Sequence, residues 1–351
     1  MSFKYFLLTK NFFMEGPCGR VSHAKGFVEG LACNHKDVTL ISGKGAGDFI
    51  EESAYINFRI LKNFFVLNFI YEIIKSICNN DVVVIRWRPF IPFLILPFLL
   101  FYKKIYFELN SITGLDSKNP IIKVIVKLSI VIISRFSKII VVSENSKNQI
   151  LSIVNSKNPI YVMPNGFNPK AFENFSPNIN SNYGPNLIYF GKKQDYYEWD
   201  NLYQVLSENP SVNLHVFGFD DHIVAKNINF YGKFNHESLV EKINLIINPI
   251  LIIHPDDSEI ARSGSPMKLF EYAYLNIPVI VGDSLSQIGK DFNEFIFYKS
   301  GDYESLNSTI LNVCEEYSIL LKESAALRGK VESNYSWNSI VGRWLDHEFR
   351  N

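Results

Sequence analysis

The feature that most constrains this 351-residue chain is an alternation. Short apolar runs of strand length are each followed by a segment of helix length, first over 1–165 and again over 186–330. Residues 5–9, 38–42, 82–86, 105–109 and 139–142 read as strands, with helices over 22–33, 57–78, 89–102 and 119–136 between them. Such a βαβα rhythm builds a doubly wound, mainly parallel sheet, whose strands are covered on both faces and so read as near-continuous apolar runs. Residues 161–163 add a strand before the turn signal Pro164-Asn165-Gly166. The segment 172–185, FENFSPNINSNYGP, has the composition of an interdomain linker. The pattern then restarts, with strands at 187–190, 213–217, 228–231, 250–254 and 279–281 and helices over 199–208, 236–247, 266–275 and 303–330. The expected fold class is α/β, with two Rossmann-like domains.

Bulk properties narrow the function classes. A hydrophobic content of 47% with 20% charged residues fits a folded globular protein. The net charge of zero hides an asymmetry: residues 1–175 hold 21 Lys and Arg against 12 Asp and Glu, and 176–351 hold 14 against 23. The halves therefore carry +9 and −9. A basic half is expected to meet an anionic surface or substrate, with chance variation of surface charge as the plain alternative. The four cysteines lie far apart without a C-x-x-C pair, so neither a zinc site nor a disulfide framework is expected, and a reducing cytoplasm is the default compartment. Lys4 and Lys10 bracket five uncharged residues, too few for a secretory signal core. No apolar run is long enough to span a bilayer. The nearest, 89–102 (PFIPFLILPFLLFY), has three prolines and reads either as a core helix or as a segment dipping into a membrane interface.

The chemistry concentrates in 263–283, SGSPMKLFEYAYLNIPVIVGD. Ser265 suits an N-cap and Pro266 the first helical position. Gly264 lets the backbone ahead of the cap approach a ligand. The first-turn N–H groups, Met267 among them, and the positive end of the helix dipole favour a phosphate. Lys268 and Glu271, three apart, share one helix face. Glu271 lies roughly 7–8 Å along the axis from the first turn, about the distance from a pyrophosphate to the ribose hydroxyls of one nucleotide. Asn276 and Pro278 end the helix before a buried strand. The stretch reads as a nucleoside-diphosphate site.

With two Rossmann-like halves and this motif, the chain resembles the GT-B glycosyltransferases, specifically glycosyltransferase family 4, over nearly its whole length. SPMKLFEYAYLNIPVIV resembles that family's E-x7-E region in its S-P-x-K-x-x-E-Y form, in which the second Glu binds the ribose of a sugar nucleotide. Glu271 takes that place; Ser263 stands where the first Glu is usual, with Arg262 and Glu259 as neighbouring substitutes. A solvent-exposed helix carboxylate is the plain alternative for Glu271. YVMPNGF at 161–167 resembles the family's strand and P-N-G-V-D turn. LIYFGKK at 187–193 resembles its G-R/K loop, where Lys192 or Lys193 would face the donor pyrophosphate with Lys268 as partner, unless they are solvated surface charges. LHVFG ends at Gly218, where backbone groups would hold the base.

In the first half, EGPCGR at 15–20 stands in place of the family's Gly-rich loop, which implies Gly19 near the donor and Arg20 near the acceptor. His23 follows, either as an acceptor contact or as a packed helix histidine. Arg86, Arg88, Glu108 and Asn110 fall at carboxyl ends of strands, where open α/β sheets bind ligands. Glu108 and Asn110 are therefore catalytic and acceptor-contact candidates. Arg86 and Arg88 would take an anionic acceptor such as a lipid-linked diphosphate, or form buried salt bridges. GKGAG at 43–47 has the wrong spacing for a dinucleotide fingerprint and reads as a loop. The 119–136 helix, with Lys123 and Lys127 at i, i+4 and Lys118, Arg135 and Lys138 nearby, either lies on anionic lipid or is a core helix with one wet stripe.

The resemblance implies two domains facing each other across a cleft: 1–172 for the acceptor, 173–335 for the nucleotide-sugar, and a 336–351 helix crossing back to the first. It implies retaining transfer of a hexose from a UDP- or GDP-sugar to a glycan or lipid-linked hydroxyl, with no metal or other cofactor and no nucleic-acid partner. Glu108, Asn110, Lys192 and Lys268 form the expected catalytic set. Surface-polysaccharide synthesis at the inner face of the plasma membrane is the expected setting, with the protein cytoplasmic and peripheral. A GT-B-fold nucleotide-sugar epimerase and a non-catalytic glycosyltransferase-like subunit are the alternatives.

Overall fold

The computed structural model describes residues 2–11, 19–48, 50, 53–62, 65–112, 114–115, 117–223 and 225–349, with backbone only at 19, 20 and 289. The chain divides into two compact units, Met1–Gly166 with Trp337–Asn351, and Phe167–Ser336.

The first unit runs β1 (Ser2–Phe6), α1 (Gly19–Cys33), β2 (Asp37–Ser42), β3 (Ile56–Ile60), α2 (Phe65–Cys78), β4 (Val82–Arg86), α3 (Ile91–Leu94), α4 (Leu96–Leu99), β5 (Ile105–Leu109), α5 (Pro120–Phe136), β6 (Lys138–Val141), α6 (Glu144–Ile153) and β7 (Ile160–Val162). Its strands pair in parallel in the order β3-β2-β1-β4-β5-β6-β7, so the winding reverses between β1 and β4. Branched side chains on VVVIR and IIV suit central strands covered on both faces, and β4 and β5 are buried almost throughout. On one face, Phe69 and Ile73 of α2, Ile91, Leu99, and Ile130 and Ile133 of α5 pack against β4 to β6.

The second unit runs β8 (Asn186–Phe190), α7 (Trp199–Glu208), β9 (Asn213–Phe217), β10 (Ile228–Phe230), α8 (His236–Ile243), β11 (Pro249–Ile253), α9 (Glu259–Ser263), α10 (Met267–Tyr274), β12 (Val279–Gly282), α11 (Ser286–Gly289), β13 (Ile296–Tyr298), α12 (Tyr303–Glu315), α13 (Tyr317–Glu323) and α14 (Leu327–Tyr335). Its parallel order is β10-β9-β8-β11-β12-β13, reversing between β8 and β11. The final helix α15 (Trp337–Phe349) belongs to the first unit and packs on α1. Gly26 makes that packing possible, because a Cβ there would lie 1.9 Å from Trp337 Nε1. Glu348, near the end of α15, accepts from Tyr106, Lys138 and Tyr161 on three neighbouring strands.

Several sequence expectations need correction. Residues 56–60 form an edge strand, not the start of a helix over 57–78; the period-two run Ile56-Phe58-Ile60 merges in sequence with the helical run that follows. Prolines break 89–102 into the single turns α3 and α4. The expected linker at 172–185 is part of the second unit, and the units divide at 166/167. Within that segment Asn180 Oδ1 accepts from Asn182 N–H, and the Asn248 side chain ties it down, donating to the Asn180 and Tyr183 carbonyls and accepting from Asn180 N–H. The 303–330 helix is three helices, and α6, α9 and β13 were not anticipated.

Candidate functional site

In the second unit, the polar side chains of interest gather where β8 and β11 end, at the reversal of strand order, which is the usual ligand position in open α/β sheets. The chain turns at Gly191 with φ +136, and a Cβ there would lie 2.6 Å from Lys268 Nζ. This glycine therefore leaves room for the ammonium. Lys268, on the first turn of α10, donates to Tyr189 Oη at 2.5 Å and lies over the Tyr189 and Tyr197 rings, 4.1 and 4.7 Å from their centroids. Tyr189 in turn donates to the Lys192 carbonyl at 2.6 Å. Burial lowers the Lys268 pKa to about 7, against a smaller upward pull from Glu271.

His254, directly after β11, is fully buried with its ring edge-on to Trp199 at 4.3 Å. Neither of its ring nitrogens has a hydrogen-bond partner among the described residues. Burial, and secondly the Lys268 charge, hold its pKa well below the usual histidine range, so the ring is neutral. Glu271, one turn beyond Lys268, is mostly buried and lies 3.8 Å from His236 Nε2.

The start of α10 departs from expectation by one residue. Pro266 is the N-cap, extended at ψ 122°, and supplies no side-chain bond; Ser265 is buried just ahead of it and is not the cap. A proline disfavours the helical conformation in the residue before it, which pushes Ser265 out of the helix. Pro266 thus offers the first-turn N–H groups of Met267 and Lys268 no side-chain cap. Gly264 caps the preceding turn α9, and its backbone is extended. Ser263 donates to Glu259 at 3.2 Å, and Arg262 holds the Asp257 carbonyl at 2.7 Å, which places both proposed substitutes for the missing Glu in one short turn.

In the first unit, Glu108 at the end of β5 is fully enclosed. It accepts from Tyr5 Oη at 2.6 Å and Arg86 Nη1 at 3.1 Å, and its other oxygen meets His23 Nε2. His23 Nδ1 lies 2.5 Å from Asn165 Oδ1, and its ring meets Trp337 edge-on. Burial would raise the Glu108 pKa, but His23 first and then Arg86 outweigh it and hold the carboxyl at about 2.

The structure therefore corrects part of the expected site. Glu108 is buried, with both oxygens already held by protein side chains. Arg86 is the partner of that carboxylate rather than a free anion site. His23 is the packed helix histidine of the two readings. Asn110 follows Glu108 half-buried, with an Oδ1 that has no partner among the described residues. Arg88 is half-buried beyond β4. Lys193 is exposed and paired with Asp221 at 2.5 Å, whereas Lys192 is exposed and joins the cluster only through its carbonyl. Gly218 gives its N–H to the Gly232 carbonyl, so that group is not open to a base; a Cβ there would lie 2.2 Å from the Gly191 carbonyl oxygen. Gly19 opens α1, while 15–18 and the Arg20 side chain lie outside the described residues. Sequence reasoning missed Tyr189, Tyr197 and His254. Their signal was position, at or just beyond the carboxyl ends of β8 and β11.

No protein-family model matches the chain, and no curated protein sequence matches it. Solved structures do match it along its full length. The chain is similar to sucrose-phosphate synthase from Thermosynechococcus elongatus, at 12% identity and a TM-score of 0.70 over 98% of this chain and 97% of that one. It is similar to Anabaena HepE in complex with UDP-glucose, at 11% identity and a TM-score of 0.72 over 99% and 100%. A glycosyltransferase from Rickettsia africae matches at 16% identity and a TM-score of 0.70 over 99% and 97%. Two parallel-sheet Rossmann-like units matched in this way define the GT-B fold.

Proposed function

We propose that the protein is a glycosyltransferase of the family 4 kind, transferring a hexose from a UDP- or GDP-sugar to a hydroxyl of a glycan or lipid-linked acceptor. The reaction in this reading is retaining and metal-independent, and serves surface-polysaccharide synthesis. The observation that carries the reading is Lys268, on the first turn of α10, whose ammonium lies at the Gly191 turn beyond β8, with Glu271 one turn further on. Departure of a nucleoside diphosphate requires stabilising the charge that develops on its phosphate oxygens. First-turn N–H groups and an ammonium supply that potential together. A diphosphate beside Lys268 favours the charged amine, reversing the effect of burial. Glu271, at ribose distance, accepts from sugar hydroxyls. The UDP-glucose complex of the HepE neighbour and the sequence resemblance support the donor class.

Calorimetric titration with a panel of UDP- and GDP-sugars tests the assignment. Lys268→Ala and Glu271→Ala should each weaken the preferred nucleotide about 10- to 100-fold, the worth of a charge-assisted hydrogen bond. Unchanged affinity in both variants would refute the site. Transfer of labelled sugar only when membrane extract is added supports the transferase, while acceptor-free isomerisation would identify an epimerase.

A further inference from the structure

We infer that the outer face of α5, together with α3 and α4 beside it, docks on an anionic lipid bilayer. The helix α5 is apolar on its outer side as well as on its inner one, where Val126, Ile130 and Ile133 are buried. Ser129 and Ser134 point inward, Ser129 accepting the Trp87 indole N–H at 3.0 Å, while Ile121, Val124 and Leu128 are 68%, 54% and 50% exposed. A helix whose outer side meets only water carries polar and charged residues there. The short helix α3 packs against α5 on the same face of the sheet and turns Phe93 and Leu94 outward, and Phe101, just beyond α4, is 84% exposed. Neighbouring helices thus present one apolar surface, well beyond the single exposed hydrophobics that surfaces ordinarily carry.

Charge selects the occupant. Residues 82–143 contain nine Lys and Arg but only two acidic residues, and one of those, Glu108, is enclosed against Arg86. At 100° per residue, Lys123 and Lys127 of α5 stand along one flank of the apolar face, where headgroup phosphates lie once the apolar side chains enter the acyl boundary. The same rim opposes a second copy of this chain, since a two-fold contact would bring like charges together. Among the described residues no helix is long and apolar enough to cross a membrane, so α5 lies in the interface plane. None of these side chains belongs to the clusters at the strand ends, and lipid binding is independent of nucleotide binding.

Flotation of the full chain with vesicles of phosphatidylglycerol in phosphatidylethanolamine, and with phosphatidylcholine alone, tests the inference. The expected result is binding to the anionic vesicles at least about 10-fold tighter than to the neutral ones, weakened by salt. Lys123→Glu with Lys127→Glu should weaken it at least about 30-fold, the equivalent of two surface cations. Ile121→Glu with Leu128→Glu should abolish it without altering thermal unfolding. Absence of binding to anionic vesicles, or a soluble dimer that the Leu128→Glu chain no longer forms, would overturn the inference.

Discussion

Replacing Lys268 by Met isolates what the enclosed ammonium costs and what it provides. The two side chains have similar stems, and the site tolerates that stem only because position 191 is glycine. The fall in the Lys268 pKa from 10.5 to about 7 is worth roughly 5 kcal/mol at about 1.36 kcal/mol per tenfold. Solvent screening at this partly buried residue takes off about half. Loss of the 2.5 Å bond to Tyr189 Oη costs the variant about 1 kcal/mol. The Met form should therefore be more stable by about 1–2 kcal/mol at neutral and lower pH.

The sign follows from linkage. The folded pKa lies below the unfolded value, so the unfolded chain binds more protons between pH 7 and 10.5 and wild-type stability rises across that window. The advantage of Met is full below pH 7 and fades as pH rises toward 10.5. Hydrogen exchange by mass spectrometry on peptides from β8 and β11 reads this unit separately from the other. Exchange in the variant should be slower by about 5- to 30-fold at about pH 6 and by much less at about pH 9, comparing both chains at each pH. The same substitution should remove most of the nucleotide affinity. A slowing that does not change with pH, or none at all, would show that the ammonium is not enclosed.

Two further outcomes concern the first unit. Glu108→Gln should cost about 3 kcal/mol at neutral pH, because it leaves Arg86 facing an uncharged partner in a buried site. The Glu108 pKa is depressed from 4.5 to about 2, so the stability it confers is present above pH 4.5 and lost as pH falls toward 2; thermal melts of the variant should lack that acid dependence. Gly26→Ala should destabilise the unit by about 1–3 kcal/mol through overpacking against the Trp337 indole, seen as a lower melting temperature and faster proteolysis of α15.

Both sheets and helix α10 were legible because their signals are local. Apolar runs such as VVVIR, and the pairing of Pro266 with Asn276 in the left-handed conformation at φ 59°, do not depend on distant residues. The 172–185 error arose because asparagine-rich turns and flexible linkers share a composition, and what separates them here is tertiary hydrogen bonding to Asn244 and Asn248. Glu108 was placed correctly at a strand end, yet its role was set by Tyr5, Arg86 and His23, the farthest of them 103 positions away in sequence. The Tyr189, Tyr197 and His254 surroundings of Lys268 were likewise invisible, since β8, the loop after it and β11 meet only once the sheet has formed.

The two polar clusters differ in a way that bears on where chemistry happens. Around Glu108 the charge is matched in place: two oxygens meet a guanidinium, a phenol and an imidazole, and the low pKa shows that these partners more than offset burial. A network closed in that way holds geometry and leaves the carboxylate with its charge already matched. Around Lys268 the balance runs the other way. Its neighbours are two aromatic faces, one phenol oxygen and a neutral histidine with no partner among the described residues, and Glu271 lifts its pKa by less than burial lowers it. An ammonium so placed is short of negative charge, and a dianionic group at the adjacent start of α10 corrects that shortfall. This imbalance, which burial imposes on the free protein, is the physical reason for proposing the second unit's strand ends, rather than the first unit's buried carboxylate, as the binding site.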